Sequence, residues 1–256
     1  MQKLTAVIIT LNEAKKIGVC LASLQGVADE VIVMDANSTD DTVVICKAAG
    51  VKVIVQPWLG YGKQKNFAAS LAENDFILSM DADEALSPLL RESILKVKKS
   101  GLVGVYQMNM LNNYYGYNLY YGGYYPYVKT RIYNRQQVQW SERHVHETLV
   151  VPEGTPRTHL KGDILHSSKD SVDQHVASIN RYTTLTAKVY FEQGKKGALF
   201  KMLFSPGFTF LVNYVFRLGF LDGYAGFIIA RLSAKEAFLK YSKLLLMQRQ
   251  PYGERK

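Results

Sequence analysis

The chain has 256 residues, 48% of them apolar, with two cysteines and a net charge of +9. That is one large domain, or a domain plus an appendage, and it is long enough to bury a real core. The composition excludes wholesale disorder and a disulfide-stapled scaffold.

The first apolar run, Leu4 to Leu11, holds two threonines and meets Asn12-Glu13 too early to be a secretory signal core. With Cys20 and Cys46 read as small buried hydrophobes, the expected compartment is the reducing cytoplasm. The charge is uneven. Residues 1–128 sum to −1, whereas residues 195–256 alone carry 11 basic and 3 acidic side chains. A basic C-terminal part points to an anionic partner, membrane or nucleic acid. No nucleic-acid recognition motif is present, so the membrane surface is the expected partner.

In chain order, "LTAVIIT" (4–10) reads as a buried strand, 14–25 as a helix, "EVIVMD" (30–35) as a strand and 40–50 as a helix stopped by Gly50. "VKVIVQ" (51–56) is a third strand, 63–74 a helix and "DFILSMD" (75–81) a fourth strand. Residues 87–101 form a helix with Ser87 as N-cap and Pro88 at its first position. Such alternation predicts an α/β fold, a mostly parallel sheet flanked by helices, with ligands at the carboxyl ends of the strands. Residues 129–140 read as a hairpin and 172–193 as a helix. The tract 112–127 holds 8 of the 17 tyrosines, to be divided between sugar contacts and an aromatic scaffold.

Three strand ends are polar: Thr10 to Glu13, Asp35, and Asp81-Ala82-Asp83. Carboxylates two apart in an extended segment point the same way. They either share a hard divalent cation, Mg2+ or Mn2+, or form a solvated turn. Asp35 has Ser38, Thr39 and Asp40 beside it to cap the next helix, which frees its carboxylate for a ribose or a base. No glycine-rich dinucleotide fingerprint follows the first strand.

"TLNEAKKI", "EVIVMDANSTDDT", "GYGKQKN" and "MDADE", in this order, resemble family 2 glycosyltransferases with the GT-A fold. The later "GGYYPYVKTRIYNR", "VHE", "ILHSS" and "LGFLDGYAGF" extend the resemblance to the bacterial lipopolysaccharide inner-core β-glucosyltransferases of that family. One departure is Tyr127, where an acid is expected after the proline. The resemblance implies that Thr10, Asn12 and Glu13 line the nucleotide pocket, that Asp35 contacts uracil or ribose, and that Lys65 and Asn66 lie near the nucleotide. It implies Asp81 on the ribose or metal and Asp83 as principal metal ligand, so that a cation on the diphosphate neutralises the carboxylates.

Inverting transfer also needs a base for the acceptor hydroxyl and positive charge on the leaving diphosphate. Glu147 is the candidate base, with His146 orienting it or touching the acceptor. Arg131 is a diphosphate clamp or a solvated strand arginine. His166 is a further metal ligand or simply packed. The expected boundaries are a catalytic GT-A domain over 1–194, with a nucleotide-binding half (1–100) and an acceptor part (101–170), and a basic amphipathic helical extension over 195–256.

The longest uncharged C-terminal run, Met202 to Phe216, is shorter than a spanning helix requires, so helices lying on an anionic leaflet are expected, or else a packed helical cap. The function this implies is metal-dependent, inverting transfer of a hexose, glucose from UDP-glucose, to a lipid-linked saccharide, the heptose of a lipopolysaccharide core. It would occur peripherally at the cytoplasmic face of the inner membrane. A polyprenyl-phosphate glycosyltransferase and a non-enzymatic anionic-membrane binder are the alternatives.

Overall fold

The computed structural model describes residues 2–141 and 148–249. The chain forms two compact units, Met1–Leu111 with Tyr127–Ser167, and Asn112–Pro126 with Ser168–Lys256.

The first unit begins with strand–helix alternation: β1 (Leu4–Thr10), α1 (Ile17–Leu24), β2 (Glu30–Asp35), α2 (Thr42–Ala48), β3 (Lys52–Val55), α3 (Tyr61–Ser70) and β4 (Phe76–Asp81). It continues through β5 (Glu84–Leu86), α4 (Pro88–Ser100) and β6 (Val105–Tyr114). After the two-residue β7 (Tyr117–Asn118) come β8 (Tyr127–Asn134), β9 (Gln139–Trp140), β10 (Leu149–Val150) and β11 (Arg157–Lys169). The main sheet runs β3-β2-β1-β4-β8-β6-β11-β5, and the division between the units falls inside β6 and β11. The first four strands are parallel, while β8 runs antiparallel to both β4 and β6.

Side chains alternate across β1, and this fixes the two faces. Leu4, Ala6 and Ile8 join Ile17, Cys20 and Leu24 of α1 and Leu90 and Ile94 of α4 in one core cluster. Val7 and Ile9 point the other way, onto Ala68 and Ala69 of α3. Both cysteines are buried and free, as their apolar setting suggested. The Ser87 hydroxyl accepts from the Leu90 amide and Pro88 opens α4, so that helix starts where sequence placed it.

The expected hairpin over 129–140 does not form. β8 is taken up by β4 and β6 on its two sides, and β9 pairs with β10 instead, Trp140 opposite Leu149. A central strand has no free edge to offer the segment that follows it.

The second unit contains α5 (Val172–Glu192), α6 (Ala198–Leu211), a π turn (Val212–Phe216), a 3-10 turn (Gly219–Asp222) and α7 (Gly223–Arg249). "LGFLDGYAGF" is a backbone junction. A Cβ on Gly226 would meet the Gly219 carbonyl oxygen at 1.9 Å, so only glycine permits this approach. Within the same junction Asp222 accepts from the Tyr120 and Tyr121 amides at 3.1 and 2.9 Å. Leu119, Ala225 and Ile229 form a small core with Tyr114, Tyr115 and Tyr124 packed on it, while Tyr117 and Tyr120 are exposed. The tyrosine tract is thus part scaffold, part open surface.

Residues 198–216 form a 19-residue helical run that by length and composition can cross a membrane. Phe200, Leu203, Phe204, Phe208 and Phe216 on this run are all more than half exposed. The uncharged run counted from sequence excluded the turn that holds Lys201. In the structure that turn continues the same helix.

Candidate active site

The carboxyl ends of three strands meet on one rim, because Thr10 pairs with Asp35 and Ile9 with Asp81 in register. Two loops leave this rim and are stitched together. The Asp35 carboxylate accepts from the Ser38 amide at 2.8 Å and from the Ser38 hydroxyl at 2.5 Å. The Ser38 hydroxyl accepts in turn from the Asn12 amide, and Asn12 Oδ1 accepts from the Thr39 amide at 2.7 Å. Asn12 sits at φ 56°, the left-handed region that asparagine tolerates.

Ahead of α2 the Asp40 carboxylate accepts from the Thr42 amide and hydroxyl, while Asp35, 1% exposed, accepts from Ser38 on both oxygens. Asn12 likewise ties the two loops together. Glu13, half-buried, is fixed through its amide to the Thr42 hydroxyl. Thr10 keeps a distinct character. It is buried at the end of β1, and its hydroxyl has no partner among the described residues. An orphaned buried hydroxyl at a strand end is a position a ligand can satisfy.

The three carboxylates after β4 divide in their fates. Asp81 lies between two cations, with Lys65 Nζ at 3.1 Å from Oδ1 and Arg131 at 3.2 Å from Oδ2. Burial alone would raise its pKa, but the Lys65 charge, then that of Arg131, hold it well below the usual carboxylate range. Glu84 reaches back to accept from the Asp81 amide and forms a fully buried ion pair with Arg131. Burial pushes the Glu84 pKa up, Arg131 opposes it and Asp81 adds to it, for a net rise.

The neutralising charge expected from a metal is therefore supplied, for Asp81 and Glu84, by side chains. Asp81 is an ion-paired anion. Arg131, 3% exposed, is not a solvated strand arginine but the counter-ion of Glu84 and Asp81. Glu84 in this role was missed; the available signal was an arginine directly before the apolar Ile132-Tyr133 of β8.

Asp83 stands apart. Its Oδ2 lies 3.3 Å from His166 Nε2, both side chains are about one-fifth exposed, and the Asp83 carbonyl accepts from the Ser167 amide. Lys16 Nζ donates to the Ser167 carbonyl at 2.9 Å. Burial would lower the His166 pKa, but the hydrogen bond and charge of Asp83 outweigh it and raise it. A carboxylate oxygen and an imidazole nitrogen in contact are the donor set of a two-ligand cation site. Among the described residues no third His, Cys, Asp or Glu completes a cage. A Mg2+-type site with one or two protein ligands leaves its other positions to water and phosphate, so Asp83 and His166 fit the expected ion.

Lys65 and Asn66 connect this rim to β9. Lys65 Nζ lies 4.5 Å over the Trp140 ring. The Asn66 amide donates to the Trp140 carbonyl and accepts from the Trp140 amide, both at 2.9 Å. That two-way bond makes the Asn66 side chain a mimic of a strand partner for Trp140. Trp140 Nε1 donates to the buried Tyr133 hydroxyl at 3.1 Å. Next to β9, the Ser141 amide donates to the Thr148 carbonyl and the Thr148 amide to the Ser141 hydroxyl. His146 and Glu147, the candidate acceptor-side pair, lie outside the described residues.

A sequence model of glycosyl transferase family 2 matches residues 5–150. An uncharacterised glycosyltransferase of Rickettsia prowazekii (strain Madrid E) is 36% identical over 255 residues, covering 95% of this chain and 87% of that one. The lipopolysaccharide core biosynthesis glycosyltransferase LpsC of Rhizobium meliloti (strain 1021) is 32% identical over 258 residues, with 94% and 91% covered. Among solved structures, S. aureus TarS 1-349 in complex with UDP-GlcNAc aligns with a TM-score of 0.47 at 15% identity, covering 98% of this chain and 93% of that one.

Proposed function

The chain belongs to family 2 of the glycosyltransferases and has the GT-A fold, and from that premise we propose that it moves a hexose, glucose from UDP-glucose, with inversion onto the heptose of a lipid-linked lipopolysaccharide core. The observation that carries the donor half is the rim itself: the orphaned Thr10 hydroxyl, the ion-paired Asp81 and the Asp83–His166 contact on neighbouring strand ends.

In this reading Thr10 and Glu13 receive the nucleoside, and Asp81, held anionic by Lys65 and Arg131, accepts from a ribose hydroxyl. Asp83 and His166 hold a divalent cation, Mg2+ or Mn2+. Such an ion, when bound, supplies positive charge to the leaving diphosphate. Glu147 takes the proton from the attacking acceptor hydroxyl, and His146 orients it.

The lipid-linked acceptor is supported from two sides. LpsC, by its name, acts in lipopolysaccharide core biosynthesis and aligns over nearly the whole chain. The exposed phenylalanines and leucines of 198–216, with Lys195, Lys196, Lys201 and Arg217 around them, have the composition of a helix lying in an anionic leaflet. Pro206 and the π turn at Val212–Phe216 interrupt the run, and Phe210 and Tyr214 pack on Phe227 of α7, which favours lying along the surface over crossing it. The site of action is then the cytoplasmic face of the inner membrane.

Calorimetric titration of UDP with Mn2+ and then with EDTA, into wild type and Asp83→Ala, tests the donor half. Metal-dependent binding that disappears in the variant is expected. Binding indifferent to EDTA and to the substitution would overturn the cation assignment, and no binding at all would overturn the nucleotide-sugar reading.

A further inference from the structure

The second unit holds a cavity of about 230 Å3 that no part of the donor site uses. Its wall is built from four elements. Tyr114 comes from β6 and Lys169 from β11, while Glu236 comes from α7. His175, Ser178 and Tyr182 come from one face of α5, at the helical spacing that puts them in a single stripe.

The polar groups here are oriented by their neighbours. His175 Nδ1 lies 2.6 Å from the Tyr115 hydroxyl. Burial, then the Lys169 charge, lower the His175 pKa to about 4, so the ring is neutral at physiological pH. The half-buried Tyr114 phenol is bonded to Ser168, and its ring lies 5.3 Å from that of His175. Tyr182 is 45% exposed and braced on one side by Arg181, whose guanidinium carbon is 5.1 Å from the ring.

The lining therefore offers two tyrosine rings, a neutral imidazole, serine hydroxyls, one ammonium and one carboxylate. Glu236 argues against a free phosphate, and the polar groups argue against a lipid chain. The volume is below the ~300–1,000 Å3 of pockets for drug-sized ligands, enough for one ring rather than an oligosaccharide. A pyranose matches on every count. It has an apolar face for an aromatic ring, hydroxyls for Glu236 and Lys169, and no net charge.

We infer that this cavity binds one saccharide ring of the acceptor. The acceptor class rests on the function proposed above; the ring-binding chemistry does not.

The test uses the full chain with deacylated lipopolysaccharide core oligosaccharide as probe, followed by saturation-transfer NMR and by transfer kinetics. Tyr182→Ala and Glu236→Gln are expected to weaken oligosaccharide binding at least about tenfold, with UDP binding unchanged and Tyr182→Phe close to wild type. Equal binding by all variants, or no binding by wild type, would overturn the inference. If wild type transfers hexose to the probe and the variants keep its KM, the cavity assignment fails and the proposed function stands. If the probe binds and the variants lose it but no donor gives transfer, the function fails and the cavity assignment stands.

Discussion

Arg131 and Glu84 form a buried ion pair at the base of the candidate active site, and Arg131 also holds the Asp81 carboxylate 3.2 Å away. Removing the arginine leaves Glu84 buried with its charge uncompensated. Arg131→Ala should lower stability by ~3–5 kcal/mol. The double variant Arg131→Met/Glu84→Met should recover part of that loss in urea denaturation, since no unpaired Glu84 charge stays buried, while the Asp81 amide loses its Glu84 acceptor and the Asp81 carboxylate keeps only Lys65.

Asn12 makes a prediction about backbone strain. Asn12→Ala loses the hydrogen bond to the Thr39 amide and must hold alanine at φ 56°. Asn12→Gly loses only the hydrogen bond. The glycine variant should therefore be the more stable of the two by ~1–2 kcal/mol in thermal or urea unfolding. Equal stabilities would mean that the loop relaxes out of the left-handed region.

The pH dependence follows from His175. Its folded pKa is about 4, against an ordinary value of 6.5. Between those values the unfolded chain binds a proton that the folded chain refuses. Stability contributed by the neutral ring is complete above pH 6.5 and is lost as pH falls toward 4. The slope has a ceiling of ~1.4 kcal/mol per pH unit, reduced by solvent at a half-buried ring. Unfolding midpoints measured across this window should fall with pH in wild type and flatten in His175→Gln.

Glu147 separates two acceptor chemistries. A sugar hydroxyl needs a base and a polyprenyl phosphate does not. Glu147→Ala should lower the turnover rate ~10²–10⁴-fold with UDP affinity unchanged. Retained turnover would favour the phosphate acceptor.

The exposed helix makes the fifth prediction. Phe204→Asp/Phe208→Asp removes two large side chains, each worth ~1.5–3 kcal/mol when buried, from the face proposed to enter the leaflet. Co-sedimentation with anionic vesicles should weaken at least about tenfold, while UDP binding stays the same. If the vesicles still carry the variant down, this face is not what binds them.

The strand–helix alternation of the first hundred residues was legible because burial imposes period 2 on β1 and period 3.6 on α1 and α4. Ser87, Pro88 and Gly50 mark boundaries by local chemistry that needs no partner. The candidate site was legible as a set of strand ends, not as a set of contacts. The Asp35–Ser38 pairing was not legible, because sequence shows several residues able to cap a helix but not which of them a loop will choose. The Asp81–Arg131 ion pair was not legible either: the 50 residues between them hide that β4 and β8 are neighbours. Asn66 and Trp140 lie further apart still, and their two-way amide bond has no sequence signature. The hairpin at 129–140 failed because strand pairing is decided by the whole sheet.

The clamp of Asn66 on Trp140 and the closure of Ser141 on Thr148 have an engineering consequence. Together they form a socket with two fixed rims, anchored to α3 independently of whatever is plugged between them. Exchanging the segment between these rims should leave the sheet register unchanged, because the rim bonds do not involve it. With Glu147 as the acceptor base proposed above, 142–147 becomes the segment to exchange in redirecting this transferase to another acceptor.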